Sequence, residues 1–271
     1  MQISIDGRLV DQAAAGLSVL DRGFTLGDGV FETLGVRGRE ILRLDAHLRR
    51  LRQGLAVLRL PVKMPDFEFV TRLLSVIAVN DLTEGSLRLT VTRGQGPRGL
   101  LPPDAPVPSV VITAAPFAPR ATEISVIISE KTRRNEFSPL SNVKALGYLD
   151  NILALMNARE HGADDALLLN SRGHVVAGTA ANLFAVIDKV LVTPPLADGA
   201  LPGVTRAEII ERTKAEERSL TPDMLAQADE VILTNSLGLR SVISLNGQPL
   251  GAGRSGAAAA AIKAQLAFPG D

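Results

Sequence analysis

The 271 residues are 46% hydrophobic and 21% charged, an ordinary globular composition with enough apolar material for one large domain or two small ones. Lysine plus arginine equals aspartate plus glutamate at 29 each, so no basic stripe or acidic tail points to nucleic acid or a membrane surface. The absence of cysteine excludes a disulfide framework and a thiolate nucleophile, and three scattered histidines, His47, His161 and His174, argue against a histidine-rich metal site.

The first residues, Met1 to Gly7, alternate like a strand and run into an Asp6-Gly7 turn. They do not read as a signal peptide, and no apolar run is long enough to cross a bilayer, so the cytoplasm is the default location. Asp21 to Gly29 packs three glycines into a short polar stretch; alone, it reads as a plain surface turn. Val30 to Val36 follows as a strand, with a second strand at Glu40 to Leu44. Asp45 is placed to cap a helix carrying Leu48, Leu51, Leu55 and Leu58 on one face. Arg49, Arg50 and Arg52 fall in its first two turns, where cations oppose the helix dipole. One of them is therefore a candidate for facing an anion; a solvated face with snorkelling side chains is the alternative. Pro65 to Ala78 predicts a second helix with Phe69, Leu73 and Ile77 inward. Ser86 to Thr92 and Pro108 to Ala114 predict strands around a glycine-rich loop in which Arg98 could hold a carboxylate.

Two prolines in residues 115–120 mark the clearest linker. The expected organisation is an N-terminal domain of residues 1–115, a linker of 116–122 and a C-terminal domain of 123–271. Past the linker the sequence predicts strands at Glu123 to Ile128 and Asp165 to Leu169, then a hairpin from Asn182 to Thr193 turning near Asp188. Leu201 to about Glu216 predicts a helix whose free N–H groups, around Val204 and Thr205, form a ready anion site. Glu230 to Leu233 is a buried strand ending in the polar tip Thr234-Asn235-Ser236, and Arg254 to Leu266 a closing helix. The order implies two α+β domains with antiparallel or mixed sheets, not a doubly wound parallel sheet.

Between these halves lies Ser141 to Ala154. It reads as a lysine, Lys144, at the end of an extended segment, followed by a helix with Leu149, Ile152, Leu153 and Met156 at helical spacing. A desolvated lysine loses basicity, and its free amine can attack a carbonyl as a Schiff-base nucleophile. Tyr148, the only tyrosine, lies four residues on. A solvated loop lysine is the plain alternative. Phosphate candidates occur separately at Arg50, Val204-Thr205 and Thr234-Asn235-Ser236. A carbonyl-reactive lysine together with several phosphate-holding groups points to pyridoxal phosphate.

An ordered set of segments resembles the class IV pyridoxal-phosphate enzymes over nearly the whole chain. These are Gly27 to Thr33, His47 to Leu51, Thr92 to Gly94, Lys144 with Tyr148-Leu149, Asn182 to Phe184, Thr193-Pro194, Leu201 to Arg206 and Thr234 to Leu237. That family includes branched-chain aminotransferase, D-amino-acid transaminase and aminodeoxychorismate lyase. The resemblance implies a smaller N-terminal α/β domain, a larger C-terminal domain with a mixed, barrel-like sheet, the cofactor pyridoxal 5'-phosphate between them, and a homodimer acting on a small amino substrate. It implies that Lys144 holds the cofactor aldehyde and shuttles the proton, and that Tyr148 bonds the phenolic oxygen. Arg50, the backbone at Val204 and Thr205, and Asn235 or Ser236 would hold the phosphate, while Phe31 and Arg98 would face the substrate.

One position departs from the pattern: the family's usual glutamate five residues before the asparagine of Asn182-Leu183-Phe184 is Ala177 here. Without a carboxylate to keep the pyridine nitrogen protonated, the ring is a weaker electron sink. Aromatisation of the product helps a lyase tolerate that loss. The expected activity is therefore aminodeoxychorismate lyase, which releases pyruvate and forms 4-aminobenzoate. An aminotransferase for a small amino acid or amine is the alternative, and a cofactor-binding homologue with impaired catalysis the third.

Overall fold

A computed structural model describes all 271 residues. It contains two compact units, one made of Met1–Pro119, Val143–Gly147 and Phe268–Asp271, the other of Arg120–Asn142 and Tyr148–Ala267. The segment carrying Lys144 therefore belongs with the first unit, not with the continuous 123–271 domain expected from sequence. The reason is apolar: Val143 and Ala145 pack against the first unit's core, and Ala145 makes a β-bridge to Val30.

The first unit is a six-stranded antiparallel sheet under two helices. Its elements are β1 (Gln2–Ile5), β2 (Arg8–Asp11), α1 (Arg22–Leu26), β3 (Gly29–Arg37), β4 (Glu40–Ile41), α2 (Leu44–Val57), α3 (Asp66–Val79), β5 (Glu84–Thr92) and β6 (Ser109–Pro116), with strand order β2-β1-β6-β5-β3-β4. Strand alternation sends Val30, Leu34 and Val36 of β3, and Leu87, Leu89 and Val91 of β5, into the core with Leu48, Leu51, Phe69 and Leu73 of the helices. Fully burying a side chain such as Phe69 or Leu73 contributes roughly 1.5–3 kcal/mol. Asp45 is not the cap of α2. Arg43, in the left-handed region at φ 56°, precedes the helix without a side-chain cap bond, and Asp45 sits in the first turn, where its charge still suits the dipole. The Asp21–Gly29 stretch is more than a turn: Asp21 caps the short helix α1 by accepting from the Gly23 amide, and Gly27 closes it in the left-handed conformation.

The second unit contains β7 (Glu123–Arg134), α4 (Leu149–Glu160), β8 (Asp165–Asn170), β9 (Val175–Gly178), β10 (Asn182–Ile187), β11 (Val190–Thr193), α5 (Val204–Thr213), β12 (Glu216–Glu217), α6 (Pro222–Ala226), β13 (Glu230–Asn235), β14 (Gly238–Leu245), β15 (Gln248–Pro249) and α7 (Ala257–Gln265). The order β10-β13-β14-β7-β8-β9 closes on itself because β9 also pairs with β10, giving a six-stranded barrel. Its sheet is mixed: β7 runs parallel to both neighbours. Leu167, Leu183, Leu233 and Val242 fill the interior. The apolar stripe of α4 faces out: Leu149 is 74% exposed, and Ile152, Leu153 and Met156 each at least half. Ala154 and Ala158 form the buried side, against Ala163, Ala166 and Leu168, because small residues let the helix lie close on the strands. No helix is long and apolar enough to cross a membrane.

Candidate functional site

Lys144 does not follow a strand. A 3₁₀ turn over Pro139–Asn142 precedes it, and the chain then runs beside the start of β3. There the Phe31 amide donates to the Lys144 carbonyl at 2.9 Å and the Leu146 amide to the Gly29 carbonyl at 3.1 Å. Gly54 of α2 allows this approach, since a Cβ there would lie 3.2 Å from a Val30 methyl and 3.3 Å from a Val143 methyl. As a residue Lys144 is half-buried, with its amine drawn in over the Phe31 ring, 4.3 Å from the centroid. Loss of solvation lowers its pKa to about 8; the Arg50 and Arg88 cations add to the fall, and Glu32 opposes it. About half the amines are thus unprotonated near pH 8, as a carbonyl nucleophile requires.

Nothing in the local sequence marks Arg88. It is exposed on β5, and its guanidinium carbon lies 3.7 Å from the centroid of the same Phe31 ring. The pairing of β3 with β5 sets Phe31 opposite Thr90 and Thr33 opposite Arg88, so strand register brings this cation to the Phe31 ring. Phe31, expected to face the substrate, is therefore flanked by two cationic side chains.

Arg50, one of the expected phosphate ligands, is buried and meets a carboxylate of its own chain. Its Nε and Nη2 donate to Glu32 at 2.8 and 2.6 Å, and His47 Nδ1 lies 2.7 Å from the same carboxylate. Burial raises the Glu32 pKa, but the hydrogen bonds and charges of Arg50 and His47 more than offset this, so Glu32 is held below the usual carboxylate value and stays ionised. Burial pushes His47 below its usual value and outweighs the opposing pull of Glu32, leaving it neutral. This cluster was legible in part: His47 and Arg50 are one helical turn apart, and Glu32 is a lone charge in an apolar strand.

Arg98, the other expected substrate contact, is exposed on the loop after β5. That loop is held from beneath by buried Arg22, which donates to the carbonyls of Gly99, Leu100 and Leu101 at 3.1, 2.8 and 3.3 Å. Arg22 and Arg93 both donate to Asp28, at 2.9 and 2.7 Å.

In the second unit two of the phosphate candidates, Val204 and Thr205, form the start of α5. Gly203 precedes the helix with no side-chain cap bond, so the first-turn N–H groups around Val204 and Thr205 remain available. Only glycine fits at 203, because a Cβ would lie 1.9 Å from Asn182 Oδ1. The Thr205 hydroxyl is buried and has no hydrogen-bond partner. A buried orphan hydroxyl at an uncapped helix start suits an anion with several oxygens, and a phosphate fits it. Asn235 is otherwise employed: its amide nitrogen donates to the Ala180 carbonyl at 3.1 Å and its oxygen accepts from the Leu237 amide at 2.9 Å. Its side chain therefore shapes the strand tip beside Ser236. Tyr148 occupies the position before α4. Ala177 lies opposite Asn182 across β9 and β10, on the face of the barrel wall that leads to the α5 start.

The family model for class IV amino-transferases matches residues 29–245. The chain belongs to the class IV aminotransferase family. A branched-chain-amino-acid aminotransferase of Salmonella typhimurium is 32% identical over 273 residues, which cover 94% of this chain and 88% of that one. The solved branched-chain aminotransferase of Escherichia coli superposes with a TM-score of 0.92 at 30% identity, covering 97% of this chain and 92% of that one. The 4-amino-4-deoxychorismate lyase of Pseudomonas aeruginosa superposes with a TM-score of 0.85 at 33% identity, covering 97% of each. Aminotransferases and a lyase thus share this class IV fold.

Proposed function

We propose that this class IV enzyme, whose cofactor is pyridoxal 5'-phosphate, transfers the amino group of a small α-amino acid. The observation that carries this reading is the Lys144 amine, brought to a pKa of about 8 over the Phe31 ring beside the exposed cation of Arg88. The bound cofactor supplies an aldehyde that condenses with amines and a ring that draws electrons from the substrate's α-carbon. Lys144 would hold that aldehyde, and its Nζ, with a pKa near the working range, takes and returns a proton. Tyr148 would donate to the cofactor's phenolic oxygen. The Val204 and Thr205 amides, the Thr205 hydroxyl and Ser236 would hold the phosphate, with Arg50 as a further cation for it. The Phe31 ring excludes water beside the amine, and Arg88 pairs with the substrate carboxylate, with Arg98 as a second candidate. A homodimer is part of the same reading.

Aminodeoxychorismate lyase is the second reading, and Ala177 favours it. An uncharged methyl group stands where a carboxylate would keep the pyridine nitrogen protonated, and a product that gains aromaticity needs less electron withdrawal. The similarity to the solved lyase supports it as well. One experiment separates the two. Purified protein is given aminodeoxychorismate with no amino acceptor, and in parallel an amino acid with a 2-oxo acid. Transfer in the second mixture with no pyruvate in the first supports the aminotransferase; pyruvate without an acceptor supports the lyase.

A further inference from the structure

Arg134, at the end of β7, has no part in the roles assigned so far. Its guanidinium is half-buried and makes three hydrogen bonds, all to backbone carbonyls. Nη2 donates to Ser141 at 2.7 Å and to Gly199 at 3.2 Å, and Nε to Gly199 at 3.3 Å. Its partner in strand register is Asn170 on β8, whose amide donates to the Asp198 carbonyl at 3.3 Å. Two register-paired side chains thus grip two successive carbonyls of one turn. That turn, Leu196–Asp198 closed by Gly199 at φ +94°, precedes the 201–203 stretch that delivers α5 and Thr205. Burial disfavours the Arg134 charge and outweighs the favourable electrostatic pull of Tyr148 and Asp150.

We propose that Arg134 is a positioning residue for the cofactor site: its guanidinium fixes the turn that delivers α5 and steadies the phenol of Tyr148. The role rests on the reading above, in which Tyr148 and the α5 start hold the cofactor. A guanidinium suits the task because its planar fork serves two carbonyls at once, while a lysine ammonium is a compact point charge without that fixed fork.

The test uses the sole tyrosine, whose ¹³Cζ resonance in tyrosine-labelled full-length protein reports Tyr148 alone. Arg134→Gln removes the cation, so the phenol should titrate at higher pH than in the wild type, with or without cofactor. The ³¹P resonance of bound pyridoxal phosphate should shift, and the cofactor should bind about tenfold more weakly, the equivalent of one charge-assisted hydrogen bond. Arg134→Lys keeps a charge but not the fork; it should leave the phenol titration near wild type and still weaken cofactor binding. Arg133→Gln, at an exposed neighbour that bonds only carbonyls of its own strand, should change neither signal. A folded Arg134→Gln protein whose tyrosine titration and ³¹P resonance both match the wild type overturns the proposal. So does an Arg133→Gln protein that shows the same changes. Should Arg134→Gln fail to fold, an Arg134→Lys protein that binds cofactor as tightly as the wild type overturns it. The tyrosine titration without cofactor is independent of the functional reading. A normal shift there, with no coupling of cofactor to Lys144, would sink that reading and leave the clasp standing.

Discussion

Replacing Glu32 by glutamine isolates the charge beneath Lys144. The carboxylate is 1% exposed and takes three contacts of 2.6–2.8 Å from Arg50 and His47. Glutamine keeps the shape and one acceptor oxygen, but leaves the buried Arg50 cation without its counter-charge. Breaking a buried pair by removing one partner costs about 3–5 kcal/mol, and the retained oxygen puts this case near about 3. At roughly 2–4 °C per kcal/mol the melting temperature should fall by about 10 °C. A second effect has the opposite local meaning. Glu32 is the one charge that raises the Lys144 pKa, so without it that pKa drops below about 8. Urea denaturation of the cofactor-free chain measures the first effect. Competitive acylation across pH, read at the Lys144 peptide by mass spectrometry, measures the second. A loss under about 1 kcal/mol, the range of a solvated surface pair, would refute the reasoning. An amine whose titration stays put or moves upward would refute it too.

Removing the Arg88 cation should act in the reverse sense: Arg88→Gln lifts the Lys144 pKa above about 8 in the same acylation assay. The loss of a charge-assisted contact should also lower kcat/KM for amino acids roughly 10- to 100-fold in steady-state kinetics. The cofactor-free chain should gain stability as pH rises from about 8 toward 10.5. The unfolded lysine still binds its proton across that window while the folded one releases it, and the gain, followed by urea midpoints, amounts to about 3 kcal/mol. Thr205→Val should leave the stability of the cofactor-free chain unchanged or raised, because the buried hydroxyl it deletes has no partner. The same change should weaken cofactor binding about tenfold by equilibrium dialysis.

What the sequence made legible is what a short stretch can encode. Gly203 before Val204-Thr205 is a local helix start, and the structure puts it there. Val30 to Val36 reads as a strand, and β3 is one, with buried residues on both of its faces. Arg50 could be suspected of meeting an anion from its place against the helix dipole, but the anion it meets, Glu32, lies on a separate element, the strand β3. Arg88 stayed hidden for the same reason, since cross-strand register is not written in either strand alone. The leucines of the helix after Lys144 recur at helical spacing, and that spacing names a face without saying where the face points. The alanines on the other side decide the packing. Ala177 is informative only through resemblance, since an alanine in a strand carries no signal of its own.

The proposed chemistry requires the Lys144 amine to carry the cofactor. Borohydride reduction of the protein incubated with pyridoxal phosphate, followed by peptide mass mapping, tests it directly. The mass of the reduced cofactor should appear on the peptide containing Lys144 and on no other lysine in stoichiometric amount. Reduced cofactor on a different lysine, or an unmodified Lys144 peptide at saturating cofactor, would contradict it.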